Sequence, residues 1–376
     1  MNRDEQVTRL PTTASGLGDA DAARTTYHIY HEKDYHKRLQ SKIDLECESP
    51  RSAVKRAART AKKKTKNGVV VDTEAEPDLH LDTEHEHSGC AFFQHVPYLA
   101  FHDPPKVLYA GEDKHAPPVV LMNGSAFWRR YKLQYGDSLA ADVLDPRGVV
   151  AWKHNGGSKK ELKADGMMLK GYKVRTWRLW GESGKAYVHQ VKASRIGGTS
   201  PDPDAQPMKD EHVAQVEGVV YLNWDRPLSL HTRQYHFRYG DVDFYWKGTS
   251  TIKKPSVFGM FVRYNHLKLI AKIPIKEEPD PTLLQEVCLG KYASSVSGKK
   301  CGRLELYDSV ILRLSKDCLR HIDAPQHNER IEVLSLKETW LYRIIVATAV
   351  CMIDAEKEKR RAVGEWLQDA GEGGGG

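Results

Sequence analysis

No stretch of this chain reaches the length and apolarity of a membrane-crossing helix, which takes about 20 mostly apolar residues, so a helical integral membrane protein is not expected. Its first residues, Met1-Asn-Arg-Asp-Glu-Gln6, carry acids and no apolar core. Neither a secretory leader nor the Met-Gly start of a myristoylated chain is expected, and the protein reads as intracellular. Cysteine is scarce: Cys47, Cys90, Cys288, Cys301, Cys318 and Cys351 are scattered, with no C-x-x-C pair. Such spacing argues against a disulfide framework and a four-thiol zinc site and leaves ordinary reduced thiols. The signatures of familiar enzymes are missing as well. There is no G-x-S-x-G elbow, no G-x-x-x-x-G-K-[ST] loop, no G-x-G-x-x-G after a strand pattern and no H-E-x-x-H helix. Glu182, Asp241 and Asp243 stand near turns, and nothing brings two of them together. A non-enzyme without cofactor is expected.

What the chain does have is charge. Its 57 basic and 50 acidic residues give a net charge of +7 over 376 residues. Much of the excess lies in one tract, Lys55, Arg56, Arg59, Lys62, Lys63, Lys64 and Lys66, with no acid among them. The tract reads as plain disordered charge, a nuclear localisation signal, a nucleic-acid contact or a membrane-surface patch. It has no apolar face to insert into a bilayer. An acidic, histidine-rich segment follows, in which His80, His85 and His87 stand among Asp78, Asp82, Glu84 and Glu86. These are usable metal donors, but so polar a segment offers no fixed geometry, and no metal site is expected. Residues 1–90 therefore read as a largely disordered, charged region. Within them only Thr26-Tyr-His-Ile-Tyr-His31 hints at a strand.

From residue 91 the texture changes to short runs rich in aromatic and β-branched residues, separated by Gly, Pro, Asn and Asp, as in an antiparallel β domain. The runs are Pro105 to Tyr109, Pro118 to Met122, Trp128 to Tyr135, Gly148 to Lys153, Tyr172 to Trp180 and Lys185 to Ser194. Gly218 to Trp224, Gln234 to Tyr239, Asp243 to Lys247, Met260 to Ile273, Glu286 to Tyr292 and Arg303 to Tyr307 complete about twelve strands. Gly181-Glu-Ser-Gly184 and Gly240-Asp241 read as hairpin turns. Residues 196–215 read as a mobile surface-loop insert and 276–282 as a shorter surface loop, Ser309 to Leu319 as a short amphipathic helix, and 369–376 as a flexible tail.

A long helix is predicted from Lys337 to about Trp366, with Ser335-Leu-Lys-Glu338 as its capping box. Its first half, Trp340 to Ile353, is apolar on every face except at Arg343. Such a helix needs protein or lipid on all sides, and the run is short for a membrane span, so a buried core helix is expected. Its charged second half offers Glu356 and Arg360 as an i,i+4 pair. Arg343 is expected either to pair with an acid such as Glu305 or to reach water. Two architectures accommodate such a helix: a closed barrel that admits it as a core, or a sandwich that docks it on one face. Apolarity all round favours the barrel.

If Tyr172 to Trp180 and Lys185 to Ser194 form a hairpin, Lys170, Lys173, Arg175, Arg178, Lys185, Lys192 and Arg195 become cross-strand neighbours. Lysines and arginines converging in this way suit phosphate groups; they equally suit a solvated outer face. Lys247, Lys253, Lys254 and Arg263 form a second basic group with the same two readings.

The phrases Leu169-Lys-Gly-Tyr-Lys-Val-Arg-Thr-Trp-Arg-Leu-Trp-Gly-Glu-Ser-Gly-Lys-Ala-Tyr187, Phe244-Tyr-Trp-Lys-Gly-Thr249, Tyr264-Asn-His-Leu-Lys-Leu269 and Val346-Ala-Thr-Ala-Val-Cys-Met-Ile353 resemble those of uncharacterised proteins of filamentous fungi. That group is similar in outline to Tubby C-terminal-like domains. The resemblance covers roughly residues 95–368 and implies a closed barrel of about twelve strands around a central apolar helix. The wider superfamily holds phosphoinositide-binding Tubby proteins, phospholipid scramblases and the LURP-one-related proteins of plants. No Tubby lipid-binding motif maps onto this chain residue by residue. The expectation is thus a Tubby-like barrel over residues 91–368, serving as a non-catalytic binding or scaffold module, with anionic phospholipid headgroups as the favoured ligand. A nuclear, nucleic-acid-associated protein acting through residues 55–66 is the alternative. A cytoplasmic or nuclear location, with peripheral attachment to a membrane left open, fits both.

Overall fold

The computed structural model describes residues 23–41, 91–125, 130–139, 142–175, 181–198, 202–205, 214–225, 234–248, 266–274, 284–295, 299–319 and 335–372. Twelve strands form a closed antiparallel barrel: β1 (Thr25–His31), β2 (Lys37–Ser41), β3 (Phe92–His95), β4 (Lys106–Tyr109), β5 (Pro118–Gly124), β6 (Arg130–Tyr135), β7 (Gly218–Asp225), β8 (Gln234–Tyr239), β9 (Val242–Gly248), β10 (His266–Pro274), β11 (Leu284–Ser294) and β12 (Lys300–Leu306). Each pairs with its sequence neighbour, and β12 closes on β1 with Leu306 opposite Thr25. Among the described residues four α-helices accompany them: α1 (Lys159–Ala164), α2 (Lys185–Gly197), α3 (Asp308–Cys318) and α4 (Trp340–Glu372). Among the described residues no helix is long and apolar enough to cross a membrane.

The number of strands matches the expectation, although the membership differs. Runs 148–153, 172–180 and 185–194 are not strands where they are described. Gly148 to Lys153 is a loop entering a single 3-10 turn, Trp152–His154. Tyr172 makes only one isolated bridge, to Ala151. Lys185 to Ser194 lies within α2, because Val188 and Val191, three apart, bury one helical face together with Val174. Gly181 to Gly184 is therefore no hairpin turn: Gly184, at φ 68°, caps the start of α2. By contrast, Gly240 (φ 57°) does supply the tight turn between β8 and β9, where Tyr239 faces Val242.

β1, β2 and β3 take the vacated places, so the barrel begins at Thr25, well ahead of the boundary near residue 91 expected from composition. These strands were hard to see for physical reasons. In β2 the inward set is Lys37, Leu39 and Ser41, which breaks the apolar alternation. In β3 all of Phe92-Phe-Gln-His95 is buried, so no alternation exists to read.

Two cores explain both patterns. The larger packs inward residues of the strands, among them Tyr27, Leu133, Phe237, Trp246 and Leu304, with α3 and with Leu341 to Ala355 of α4. The smaller covers the outer faces of β3, β4, β5 and β7: Phe93, Val107, Tyr109, Leu121 and the partly buried Val219 pack with Leu139, Val143, Val150 and Leu169. Those last four belong to the long β6–β7 connection, which lies against the barrel wall. Gln134 of β6 ties it down by donating to the Gly166 and Met168 carbonyls at 3.0 and 2.9 Å.

Helix α4 starts at Trp340, later than the predicted capping box. Thr339 caps it, accepting the Tyr342 N–H at 3.3 Å. Its apolar half is almost wholly inaccessible to solvent: Leu341, Tyr342 and Ile344 through Val350 are all fully buried. At about 1.5–3 kcal/mol for each large side chain, this face is the chief contributor to stability. Polar contacts fix its register. Tyr342 meets Tyr27 of β1 (3.2 Å), Thr348 accepts from Trp246 of β9 (3.1 Å), and Glu356 accepts from Tyr235 of β8 (2.9 Å). Asp354 accepts from Lys37 of β2, Gln94 of β3 and Lys106 of β4. Glu356 is thus a buried acceptor, where the sequence suggested an exposed partner for Arg360. Arg343 lies over the Trp340 ring at 4.8 Å, while Glu305 is engaged by Lys291 and Arg303 at 2.9 and 2.7 Å.

Candidate functional site

Because every strand reverses the one before, the connections after odd-numbered strands share one end of the barrel, here called the upper end. Large apolar side chains are exposed there. Tyr35 (74%) stands on the β1–β2 turn, and Tyr98 (53%) and Phe101 (83%) stand on the β3–β4 connection.

Both aromatic loops hold backbone that bulky residues avoid. The turn Leu99-Ala-Phe-His102 closes by a 3.0 Å bond from the His102 N–H to the Leu99 carbonyl, with Phe101 at φ 62° in the third position, which ordinarily calls for glycine. Asp34 and Tyr35 sit at φ 57° and 66°. Such strain persists only where surrounding contacts enforce it, and it concentrates at functional positions. The enforcing contacts are visible. The His36 Nδ1 accepts the Val96 N–H at 3.0 Å and ties the two upper loops together. Tyr98 and Ser183 exchange bonds: the Tyr98 N–H donates to Ser183 Oγ (2.9 Å), and the Ser183 N–H donates to the Tyr98 carbonyl (3.0 Å).

Ser183 belongs to the β6–β7 connection, which carries two of the predicted basic residues, Arg175 and Lys170, to this place. The Arg175 guanidinium lies 2.6 Å from His102 Nε2 and 5.8 Å from the centre of the Phe101 ring. Lys170 lies over the Tyr172 ring at 5.0 Å, and that ring meets His102 edge-on at 5.8 Å. Lys173 lies over Trp152 at 4.4 Å. On the other side Lys357 of α4 lies 5.7 Å from the Tyr35 ring, and Lys33 is exposed beside it. The acids nearby include Glu32, which pairs with Arg38 at 3.1 Å, Asp34, Asp103 and the buried Glu182, which acts on His102.

The expected basic hairpin does not form, and its residues separate. Arg175 lies beside Phe101 and Lys170 acts on His102 beside it, whereas Lys173 lies over Trp152. Lys185 and Lys192 are exposed along α2. Arg195 is structural: it donates to Asp202 (2.8 Å), Asp204 (2.6 Å) and the Val174 carbonyl (2.8 Å), fastening α2 to the wall. Asp202 and Asp204 thereby give a fixed role to part of the segment read as a mobile loop. In the second basic group, Lys247 pairs with Glu286 at 2.6 Å. Arg178, Lys253, Lys254, Arg263, the basic tract 55–66 and the histidines 80, 85 and 87 lie outside the described residues. Among the described residues no cluster of donors could hold a metal.

A second surface feature is an open groove of about 420 Å³ on the wall across β6, β7 and β8, lined in part by Arg130, Tyr221, Asn223, His236 and Arg238. Arg130 stacks over Tyr221 at 3.8 Å; Arg238 meets the exposed Asp241 at 3.3 Å. Among the described residues its lining includes no exposed large apolar side chain.

Sequence reasoning missed Tyr35, Tyr98 and Phe101 because exposure of an aromatic is a tertiary property. The local signals available were the polar turn Glu32-Lys-Asp34 and the proline-flanked segment 97–105. No protein-family model, no curated protein and no solved structure matches this chain.

Proposed function

We propose that this protein is a Tubby-like barrel threaded by α4 that serves as a non-catalytic binding module, docking its upper end on membranes rich in anionic phospholipid headgroups. The threaded arrangement is supported by the partners of α4, which come from β1, β2, β3, β4, β8 and β9 and so from widely separated parts of the ring. The membrane reading rests on one observation: Tyr35, Tyr98 and Phe101 project from neighbouring loops of one end, with Lys33, Lys170, Arg175 and Lys357 around them. Amphipathic rings at the headgroup level, ringed by cations, are how a peripheral protein holds an anionic surface. Exposed apolar groups set among cations mark an interaction site, and the cations select for negative charge.

Vesicle flotation at near-physiological salt tests this. Neutral vesicles are compared with vesicles carrying phosphatidylserine or phosphoinositide, using the full chain, a chain lacking residues 51–66 and Phe101→Ala/Tyr98→Ala. Binding that requires anionic lipid, survives the deletion and fails in the double substitution supports the reading. Binding that disappears with residues 51–66, or goes equally to nucleic acid, overturns it in favour of the basic tract.

A further inference from the structure

We propose that protonation of His36 and His102 unlocks the two aromatic loops, so that docking on an anionic lipid surface strengthens as the medium acidifies. The inference rests on the membrane reading above and adds its regulation.

Each imidazole works as an acceptor toward a donor that keeps its proton. His36 Nδ1 takes the Val96 backbone N–H, and His102 Nε2 takes an Arg175 guanidinium N–H. Neither an amide nor a guanidinium can accept in return, so the ring nitrogen must be bare in both cases. A proton on that nitrogen abolishes the bond. At His102 it also sets two cations face to face at a distance that now reads 2.6 Å.

The two bonds hold the loops that carry the exposed rings. His36 follows Tyr35 and fastens the β1–β2 turn to the start of the β3–β4 connection. His102 follows Phe101 and fastens its strained turn to the β6–β7 connection. Losing them lets Tyr35 and Phe101 move toward a lipid surface, frees Arg175 from His102 and adds positive charge beside the cations already present.

Both rings are uncharged near neutral pH. Burial lowers His36 below the ordinary 6.5; Lys114 and Lys37 lower it further, and Asp34 and Glu32 oppose them. His102 is lowered by its partial burial, then by Arg175, Lys170 and Arg147, with Glu182 opposing. Tyr172 faces the ring edge-on, and His95 stacks on His36 at 4.6 Å. Since both groups are lowered below 6.5, the transition belongs on the acid side of neutrality.

The test has two arms, each on the full chain. Without lipid, exchange of the Val96 amide, corrected for the intrinsic effect of pH, is followed between pH 7.5 and 5. Its protection should fall at the acid end, and should persist in His36→Asn, whose side-chain oxygen replaces Nδ1 as acceptor without titrating. With vesicles containing phosphatidylserine, binding should rise at least about fivefold over the same range, the effect of roughly one added positive charge at such a surface. His36→Asn/His102→Gln should flatten that rise, whereas His189→Gln on the exposed side of α2 should leave it unchanged. Undiminished Val96 protection at pH 5 overturns the inference, as does a double substitution that keeps the full rise. Absence of vesicle binding at every pH overturns the membrane reading itself and is told apart by the exchange arm, which needs no lipid.

Discussion

Lys37 of β2 and Asp354 of α4, 317 positions apart in the chain, form an ion pair in the protein interior, with 3% and 8% of their side chains exposed. Lys106 of β4 shares the carboxylate at 2.8 Å and Gln94 of β3 donates to it at 3.0 Å. Burial works against the charged carboxyl, yet the two lysines outweigh it and hold Asp354 well below the usual carboxylate range. One acid thus fixes where the helix meets three consecutive strands.

Removing that acid should be costly. Asp354→Ala leaves Lys37 buried without a counter-charge, and a loss of about 3–5 kcal/mol is expected in denaturant unfolding. Lys37→Met combined with Asp354→Leu should recover part of it, because the buried lysine is removed with its partner while Lys106 and Gln94 still lose their acceptor. A double substitution as unstable as the single one would contradict this account.

Trp246 and Thr348 give a second check on the helix register. The indole N–H donates to Thr348 Oγ1 where both residues are fully buried. Thr348→Val keeps the shape but orphans that donor, so a loss of about 1–3 kcal/mol is expected. Trp246→Phe should then add less in the Thr348→Val background than in the native one, a coupling that a double-mutant cycle reads directly.

His95 predicts how stability follows pH. Burial above all, with His36 beside it, lowers its pKa to about 4, while its Nε2 lies 3.2 Å from the Arg147 carbonyl. The folded state therefore disfavours the proton that the unfolded chain accepts near 6.5. Stability from this group is complete above pH 6.5 and is lost progressively as pH falls toward 4, by about 3 kcal/mol in all. His95→Gln, which does not titrate, should flatten that part of the profile; an unchanged slope would show that other groups carry it.

Phe101 should separate stability from binding. Its ring is 83% exposed and its φ is 62°, so Phe101→Gly relieves backbone strain while losing little burial. Left-handed backbone costs a side-chain-bearing residue about 1–2 kcal/mol, part of which the freer unfolded glycine chain offsets. Unfolding should become slightly harder while vesicle binding falls. A variant that is less stable, or that binds vesicles as well as before, would remove the functional account of this turn.

How much of this was legible depends on where each signal resides. Helix α4 was readable because apolarity on every face of Trp340 to Ile353 is a property of the sequence alone. Strands β4 to β12 were readable wherever one face met the core and the other met water. Lys185 to Ser194 was misread as a strand because Val188 and Val191 suit a strand as well as a helix, and only Val174, met across the connection, decides between them. Lys37 hid β2, since a lysine reads as outward until a buried acid is found for it. Arg175 and Lys170 do come to one place, but the hairpin meant to align the basic residues does not exist.

By itself the sequence determined the class of fold: alternating β runs that need a core, and a helix too apolar to be left uncovered. Tertiary structure alone decided that Thr25 begins the barrel, that Lys37 points inward to Asp354, and that at one end Phe101 meets Arg175 of a distant connection, Tyr98 meets its Ser183, and Tyr35 meets Lys357 of α4. Local pattern reports how a residue relates to its own strand or helix. Which face becomes interior, and which loops become neighbours, is set only when β12 closes on β1 and the β6–β7 connection folds back across the wall.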